Sequence, residues 1–268
     1  MYKHISSPQN MMIKRLFQLQ EKSRARKKEG VFIVEGVREI QLAIKGGFII
    51  KELYFCEELF PETKVEDLVK GLEDPLEIIS VSTEVYNKIA YRGSTEGLLA
   101  VVQAKDLSLQ KLELLDKNLL ILVAEAPEKP GNIGALLRTA DAAKVDAILI
   151  SNPKTDIFNP NIIRSSVGCV FTTKIATGTT RELIEFLVHK KVDIYAAALQ
   201  ASKIYSEIDF TSSSAIVVGT EATGLSKEWL ENSTQNIIIP MQGEIDSMNV
   251  SVAAGILVFE AKRQRKFK

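Results

Sequence analysis

Three glycine-containing loops hold the residues of this 268-residue chain that are best suited to chemistry. The first loop reads EKPGNIGALLRTADA and contains Asn132 and Arg138. The second reads GTEATGLS and contains Glu221, and the third reads PMQGEIDSMNVSVAAG and contains Ser247 and Asn249. Each loop follows a short apolar run typical of a buried strand, and open α/β sheets bind ligands where parallel strands end. Glycines and neutral polar side chains suit a ligand held by main-chain groups, such as an adenine with its ribose, better than a polyphosphate.

Each loop also has a purely structural interpretation. Asn132 can cap the helix that the first loop opens, with Arg138 paired to Asp141 on the helix surface. The second loop can be a plain strand-to-helix turn, and Ser247 can cap the last helix. A cap at Ser247 does not explain Asn249, which is a mediocre helix former inside the first turns. The residues alone leave these alternatives open.

Several other chemistries lack the residues they need. The two histidines, His4 and His189, offer little to a metal site or a Ser-His-Asp triad. There is no G-K-[ST] sequence, and no two glycines are separated by a single residue, so the P-loop and the dinucleotide fingerprint are absent. Cys56 and Cys169 lie far apart, which indicates thiols in a reducing compartment. With no secretory signal and no apolar run beyond about six residues, we expect a soluble cytoplasmic protein.

Charge is distributed unevenly although the net charge is zero. Residues 1–30 carry eight basic and two acidic side chains, and residues 262–268 carry five basic and no acidic ones. Basic ends on an acidic body indicate local contacts with phosphate groups. Solubilising, frayed termini are the alternative explanation.

Strands and helices alternate along most of the chain, which predicts an α/β fold. The continuous apolar runs LLILVA and AIVV predict a parallel sheet buried on both faces. We divide the chain into a basic helical arm plus a small α/β unit (residues 1–105), a charged linker (106–118) and a second α/β domain (119–268). Strands of the second domain are predicted at 119–124, 147–150, 170–175, 193–198, 215–218 and 236–239, and helices at 132–143, 160–167, 179–190, 226–231 and 247–265.

The three loops resemble the signature motifs of a known family. GNIGALLRTADA, VVGTEATGLS and IIIPMQGEIDSMNVSVAAGILVFE, in this order between Leu119 and Phe259, resemble the motifs of the SpoU branch of the SPOUT RNA methyltransferases. The segment SPQNMMIKRLFQLQEKSRARKKEGVFIVEGVREI is similar to the ribosomal-protein-like substrate-binding domain often fused ahead of that catalytic domain. The resemblance implies a C-terminal trefoil knot, which is a rare exception among folds. It also implies an obligate homodimer that transfers a methyl group from S-adenosylmethionine to a ribose 2′-hydroxyl of RNA.

The resemblance also implies which residues form the site. The implied catalytic residues are Asn132, Arg138, Glu221, Ser247 and Asn249. The implied cofactor pocket is lined by Val218, Gly219, Thr220, Ile239, Met241, Ser247 and Met248. No metal ion is expected, because the methyl group of S-adenosylmethionine is already activated.

RNA binding is then assigned to the small domain and its basic arm. The expected phosphate contacts are Lys22, Arg24, Arg26, Lys27, Lys28 and Arg92, and the alternative for the run 22–28 is a solvated helix face. The fused domain favours ribosomal RNA over transfer RNA as the substrate. A non-catalytic RNA-binding or ribosome-assembly factor with the same fold, and a generic small-molecule α/β enzyme, are the competing functions.

Overall fold

The structure is a computed structural model that describes residues 2–72, 76–91, 96–115, 117–200, 202–220, 223–245 and 247–268. The chain forms two compact units. Unit 1 comprises Met1–Lys105 and Asp156–Thr172, and unit 2 comprises Asp106–Thr155 and Thr173–Lys268.

Unit 1 is built on a five-stranded mixed sheet with the strand order β1-β4-β3-β5-β2. Apolar side chains of α1 (Ile13, Leu16 and Leu19) pack with those of α5 on one face of this sheet. Asn10 caps α1 by accepting the backbone N–H of Met12 at 2.8 Å. The elements are β1 (Lys3–Ile5), α1 (Met11–Glu21), α2 (Ser23–Glu29), β2 (Val31–Glu35), α3 (Val37–Lys45), β3 (Ile50–Phe55), α4 (Glu62–Val69), β4 (Glu77–Val81), α5 (Thr83–Ile89) and β5 (Leu98–Gln103).

Unit 2 contains the predicted parallel sheet, with seven strands in the order β10-β12-β9-β11-β6-β7-β8. Its central strands are buried on both faces, as their continuous apolar sequences predict. The elements from residue 120 onward are β6 (Leu120–Glu125), α6 (Pro130–Ala142), β7 (Ala147–Ser151), α7 (Pro160–Ser165), β8 (Ile175–Gly178), α8 (Thr180–His189), β9 (Asp193–Ala197), β10 (Lys203–Ile204), β11 (Ser214–Val218), α9 (Lys227–Asn232), β12 (Gln235–Ile238) and α10 (Val250–Gln264).

The segment that contains α7 lies in unit 1, although it joins two strands of unit 2. The ring of Phe158 stacks on that of Phe32 with the centroids 4.3 Å apart, and Phe171 lies 6.0 Å from Phe32. The predicted strand at 170–175 is wrong, because residues Cys169–Phe171 form a short 3-10 helix and β8 begins only at Ile175. A short apolar run indicates burial without specifying a strand, and this one is buried among aromatic rings.

Two further segments differ from the sequence prediction. The basic arm is predicted to be helical, but it begins with β1, an edge strand of three residues that is too short to show a sequence period. The predicted linker contributes Leu109, Leu112 and Leu114 to the margin of the hydrophobic core of unit 2. Among the described residues, none of the helices combines the length and apolarity that a bilayer crossing requires.

Candidate active site

The first loop leads from β6 into α6, which carries Asn132 in its first turn. Lys129 is the N-cap and Pro130 is the first helical residue, a position where proline costs no hydrogen bond. Asn132 is therefore not the cap of this helix. Its side-chain oxygen instead accepts a hydrogen bond from Nδ2 of Asn249 at 3.2 Å. The structure thus brings together one residue of the first loop and one of the third.

The third loop ends at Asn249, which caps α10. Its Oδ1 accepts the backbone N–H of Ser251 at 3.0 Å and the hydroxyl of Ser251 at 2.5 Å. The alternative interpretation of Ser247 as the cap is therefore wrong, since α10 begins at Val250 and Ser247 is exposed ahead of the cap. Asn249 caps α10 with its side-chain oxygen and bonds to Asn132 of α6 with its side-chain nitrogen. These two roles account for a polar residue at this position.

Arg138 lies on α6, less than two helical turns beyond Asn132. The neighbouring apolar residues Ile133, Leu136, Leu137 and Ala140 are buried, whereas Arg138 is exposed. Within the described residues, no side chain forms an ion pair or hydrogen bond with its guanidinium, so the alternative pairing with Asp141 is not formed. A guanidinium held on a rigid helix without an internal partner is available to an external anion.

The second loop approaches itself so closely that Gly219 has no room for a side chain. A Cβ atom at Gly219 would lie 2.3 Å from the backbone carbon and oxygen of Gly224. Thr220 and Gly224 exchange two backbone hydrogen bonds of 3.1 Å, and the hydroxyl of Thr220 accepts the N–H of Thr223 at 3.0 Å. Glycine at position 219 therefore lets the described ends of the loop come together directly after β11.

Glu125 is a residue of this edge that the sequence analysis did not single out. It ends β6, is only 6% exposed, and accepts the Thr180 hydroxyl at 2.9 Å and the Ser226 N–H at 2.7 Å. It thereby connects the end of the second loop to the start of α8. An acidic residue directly after the run LLILVA was the available signal, because buried carboxylates need specific partners.

The other predicted site residues follow the strand ends of the same sheet. Val218 is buried at the end of β11, Gly219 and Thr220 are half-buried, and Ile239 and Met241 are half-buried after β12. Met248 is half-buried beside the exposed Ser247. Glu221 of the second loop and Arg92 of unit 1 lie outside the described residues, so their roles stay predictions.

The basic run on α2 is less uniform than its sequence suggests. Lys22, Arg24, Lys27 and Lys28 are exposed, but Arg26 is only 4% exposed. The guanidinium of Arg26 donates to Oδ2 of Asp156 at 2.6 Å, and to the carbonyl oxygens of Leu19 at 2.7 Å and Gln20 at 3.0 Å. The prediction that Arg26 contacts phosphate is therefore wrong, because its guanidinium is buried and donates its hydrogen bonds to residues of unit 1.

The fold and the carboxyl edge of unit 2 define a class of protein: a parallel α/β domain whose strand-end loops lie beside an exposed arginine. Comparison with known families agrees with this class. Residues 119–259 match the model of the SpoU rRNA methylase family, and residues 10–100 match that of the MRM3-like substrate binding domain. The chain belongs to the SpoU rRNA methylase family.

Individual relatives match over almost the whole chain. The chain is 30% identical to the 23S rRNA (guanosine(2553)-2′-O)-methyltransferase RlmP of Bacillus subtilis, over 97% of this chain and 99% of that protein. It is 32% identical to the 23S rRNA (guanosine-2′-O-)-methyltransferase RlmB of Ralstonia nicotianae, over 81% and 88% of the two chains. The crystal structure of an AdoMet-bound rRNA methyltransferase from Sinorhizobium meliloti matches with a TM-score of 0.90 at 27% identity, covering 98% of each chain.

Proposed function

We propose that this protein transfers a methyl group from S-adenosylmethionine to a ribose 2′-hydroxyl of RNA, with ribosomal RNA as the substrate. Two of its relatives are named as 23S rRNA 2′-O-methyltransferases, and a structural neighbour is named as AdoMet-bound. The observation that carries the proposal is the available guanidinium of Arg138 on the helix that also holds the Asn132–Asn249 contact. Action on ribosomal RNA supports a cytoplasmic location.

The strand-end loops fit a nucleoside cofactor. Gly219 allows the backbone of the second loop to close tightly, and the main chain beyond β11 then offers donors and acceptors to an adenosine. We assign the pocket to Val218, Gly219 and Thr220 on one side, and to Ile239, Met241, Ser247 and Met248 on the other. When bound, S-adenosylmethionine would supply a methyl group already activated on a sulfonium and would leave as the neutral thioether S-adenosylhomocysteine.

Arg138 has the central role in the proposed reaction. A guanidinium stays protonated in proteins, so it is unsuited to remove the proton of the ribose hydroxyl, which passes instead to water or to a phosphate oxygen of the RNA. We assign it two linked tasks: binding the neighbouring RNA phosphate, and stabilising the negative charge that develops on the 2′-oxygen. Asn132 and Asn249, with Glu221 and Ser247, orient the ribose so that the oxygen lies in line with the transferred methyl group.

The exposed cations of α2 and Lys22 directly before it supply a phosphate-binding surface in unit 1. Lys22, Arg24, Lys27 and Lys28 face solvent, and no ion pair involves them among the described residues. We propose that these four, with Arg92, bind the RNA backbone. Such contacts contribute to the affinity for RNA and make it depend on salt, but they do not provide sequence specificity.

The chain path after β12 supports a trefoil knot as part of the proposal. β12 pairs with β9, and beyond it the chain comes back to α6, where Asn249 donates a hydrogen bond to Asn132. The next helix, α10, then packs against α6 and β11. Together with the family membership, this return supports passage of the chain through a loop of its own domain.

We further propose a homodimer that forms through unit 2. On α10, Val252 and Phe259 are 53% and 42% exposed, and with Ile256 they are spaced to share one helix face. Phe259→Asp is expected to convert the dimer to a monomer, measured as the mass in solution by light scattering. Val188→Asp removes a comparably exposed apolar side chain from α8 and should leave the mass unchanged. A monomeric wild-type protein would overturn the proposal.

The proposed function is tested by mapping ribose methylation across all ribosomal and transfer RNA of cells with and without the gene. We expect the deletion to remove a 2′-O-methyl group from ribosomal RNA, and the wild-type gene to restore it. Loss from transfer RNA would identify the other substrate class. An unchanged map, with S-adenosylmethionine binding absent in a titration, would support the non-catalytic RNA-binding factor instead.

A further inference from the structure

The basic segment at residues 262–268 is folded, although its sequence is compatible with fraying. After α10, the backbone N–H groups of Lys266 and Phe267 donate to the carbonyls of Arg263 and Lys262 at 3.0 and 2.8 Å. The N–H of Lys268 donates to the carbonyl of Arg265 at 3.2 Å, and Nζ of Lys262 donates to the carbonyl of Lys268 at 2.9 Å. We call Arg265–Lys268 the basic turn.

Arg265 anchors the basic turn to the amino edge of the sheet of unit 2. Its guanidinium donates to the carbonyl oxygens of Phe210, Asn118 and Leu119 at 2.7, 2.6 and 3.0 Å, and also to that of Ser212. These residues precede β6 and β11, whereas Asn132 and Arg138 follow β6. A helix of 15 residues, α10, separates this edge from Asn249. The basic turn therefore lies roughly 20 Å from the catalytic loops.

Positive charge accumulates around the basic turn. Burial lowers the pKa of Lys262, and the nearby charges of Arg265 and Lys144 lower it further, against the opposing effect of Asp146. Two acidic residues near the turn already have partners. Glu260 forms an ion pair with Arg263, with N–O distances of 2.7 and 2.8 Å, and Asp146 accepts the backbone N–H of Leu120 at 2.7 Å.

The remaining cations at this edge are available to an anionic partner. Lys144, Lys266 and Lys268 are exposed, and their ammonium groups form no ion pair within the part of the chain that the structure describes. Several unpaired ammonium groups at one edge favour a polyanion over a single small anion, because each phosphate contact releases a condensed counterion.

An aromatic ring stands between two of these lysines. Phe267 is 65% exposed, and its backbone is held in the left-handed region with a φ of 55°. Few residues other than glycine adopt that conformation, and the backbone hydrogen bonds on both sides of Phe267 hold it in the turn that presents the ring to solvent. An exposed ring flanked by lysines is the arrangement with which proteins bind unpaired nucleotides, by stacking and by phosphate contacts.

We propose that the basic turn, together with Lys144, is a second RNA-binding surface that takes a single-stranded segment of the substrate. Lys266, Lys268 and Lys144 contact successive phosphates, and the Phe267 ring stacks on an unpaired base. This surface rests on the proposed function in that the substrate is RNA. It requires the substrate to extend from the catalytic loops to the opposite edge of the same domain.

The test compares two full-length variants with a matched control. K266S/K268S removes two charges without altering the backbone bonds of the turn, and F267S removes the ring. K64S/K70S removes two exposed charges from the region of α4, which also carries the exposed Glu62, Glu66 and Asp67. The binding probes are a labelled oligouridine of about 20 nucleotides and an RNA duplex of about 20 base pairs.

We expect K266S/K268S to reduce the slope of log affinity against log salt by about 1.4 for oligouridine, or about 0.7 for each lost phosphate contact. F267S is expected to weaken oligouridine binding about tenfold and to leave duplex binding unchanged. With ribosomal RNA as substrate, both variants should raise KM at an unchanged kcat. A slope equal to that of the wild type, or an equal decrease in K64S/K70S, would overturn the proposal. A wild-type protein that methylates no RNA would instead refute the proposed function, while the oligouridine comparison still tests the surface.

Discussion

Replacing Arg138 with alanine is expected to lower methyl transfer by at least about 100-fold while leaving the affinity for S-adenosylmethionine largely unchanged. The side chain is exposed and unpaired within the described residues, so its removal leaves no buried charge and should not disturb the fold. The measurements are single-turnover methylation of ribosomal RNA and calorimetric titration of the cofactor. Because Arg138 is assigned to the phosphate and the developing oxyanion, the loss should appear in kcat as well as in the binding of RNA.

Two further variants define what Arg138 contributes. Arg138→Lys keeps the charge but loses the two-pronged guanidinium, and we expect it to recover only part of the activity. Arg181→Ala removes an arginine from α8 whose side chain pairs with Glu185 at 2.9 Å, and it should retain full activity. Weak cofactor binding by a well-folded Arg138→Ala protein would contradict the assignment and place Arg138 in the cofactor pocket.

Replacing Arg26 with alanine is expected to destabilise unit 1 by about 3–5 kcal/mol, because it leaves Asp156 without its partner in a site where the carboxylate is only 11% exposed. The change also removes the donor to the Leu19 and Gln20 carbonyls between α1 and α2. Hydrogen exchange measured by mass spectrometry should show faster exchange in β2 and α7, both of which lie in unit 1.

The neighbouring residue is the matched control for Arg26. Lys27 is exposed one position further along α2, so Lys27→Ala should change the free energy of unfolding by no more than about 0.5 kcal/mol. It should instead weaken RNA binding. The double substitution Arg26→Met with Asp156→Leu is expected to recover most of the stability, because no buried charge then lacks a partner. If Arg26→Ala weakened RNA binding at unchanged stability, Arg26 would be a phosphate contact after all.

The second loop shows how a rigid framework can support a ligand site built from main-chain atoms. Gly219 closes the loop at its start, where a Cβ atom would collide with the backbone of Gly224. Glu125 holds the far end through the N–H of Ser226. Fixing both ends of a loop reduces the cost of ordering it when a ligand binds.

Local sequence patterns were sufficient to predict the α/β class and the parallel sheet. The runs LLILVA and AIVV are buried strands, and the spacing of Ile133, Leu136, Leu137 and Ala140 identifies the buried face of α6 and leaves Arg138 outside it. These features depend on periodicity and composition within a few residues. They are therefore readable before any long-range contact is known.

Long-range packing determined the features that the sequence did not reveal. Arg26 and Lys27 are adjacent and both basic, yet only Arg26 is buried, because Asp156 lies beside it although 130 residues separate them in the chain. Phe171 packs beside Phe32 and Phe48 instead of extending a strand. Asn249 rather than Ser247 caps α10, where its side chain also bonds to Asn132. In each case the same local sequence suits two environments, and a contact with a distant segment selects one of them: burial for Arg26 and Phe171, and a side-chain hydrogen bond for Asn249.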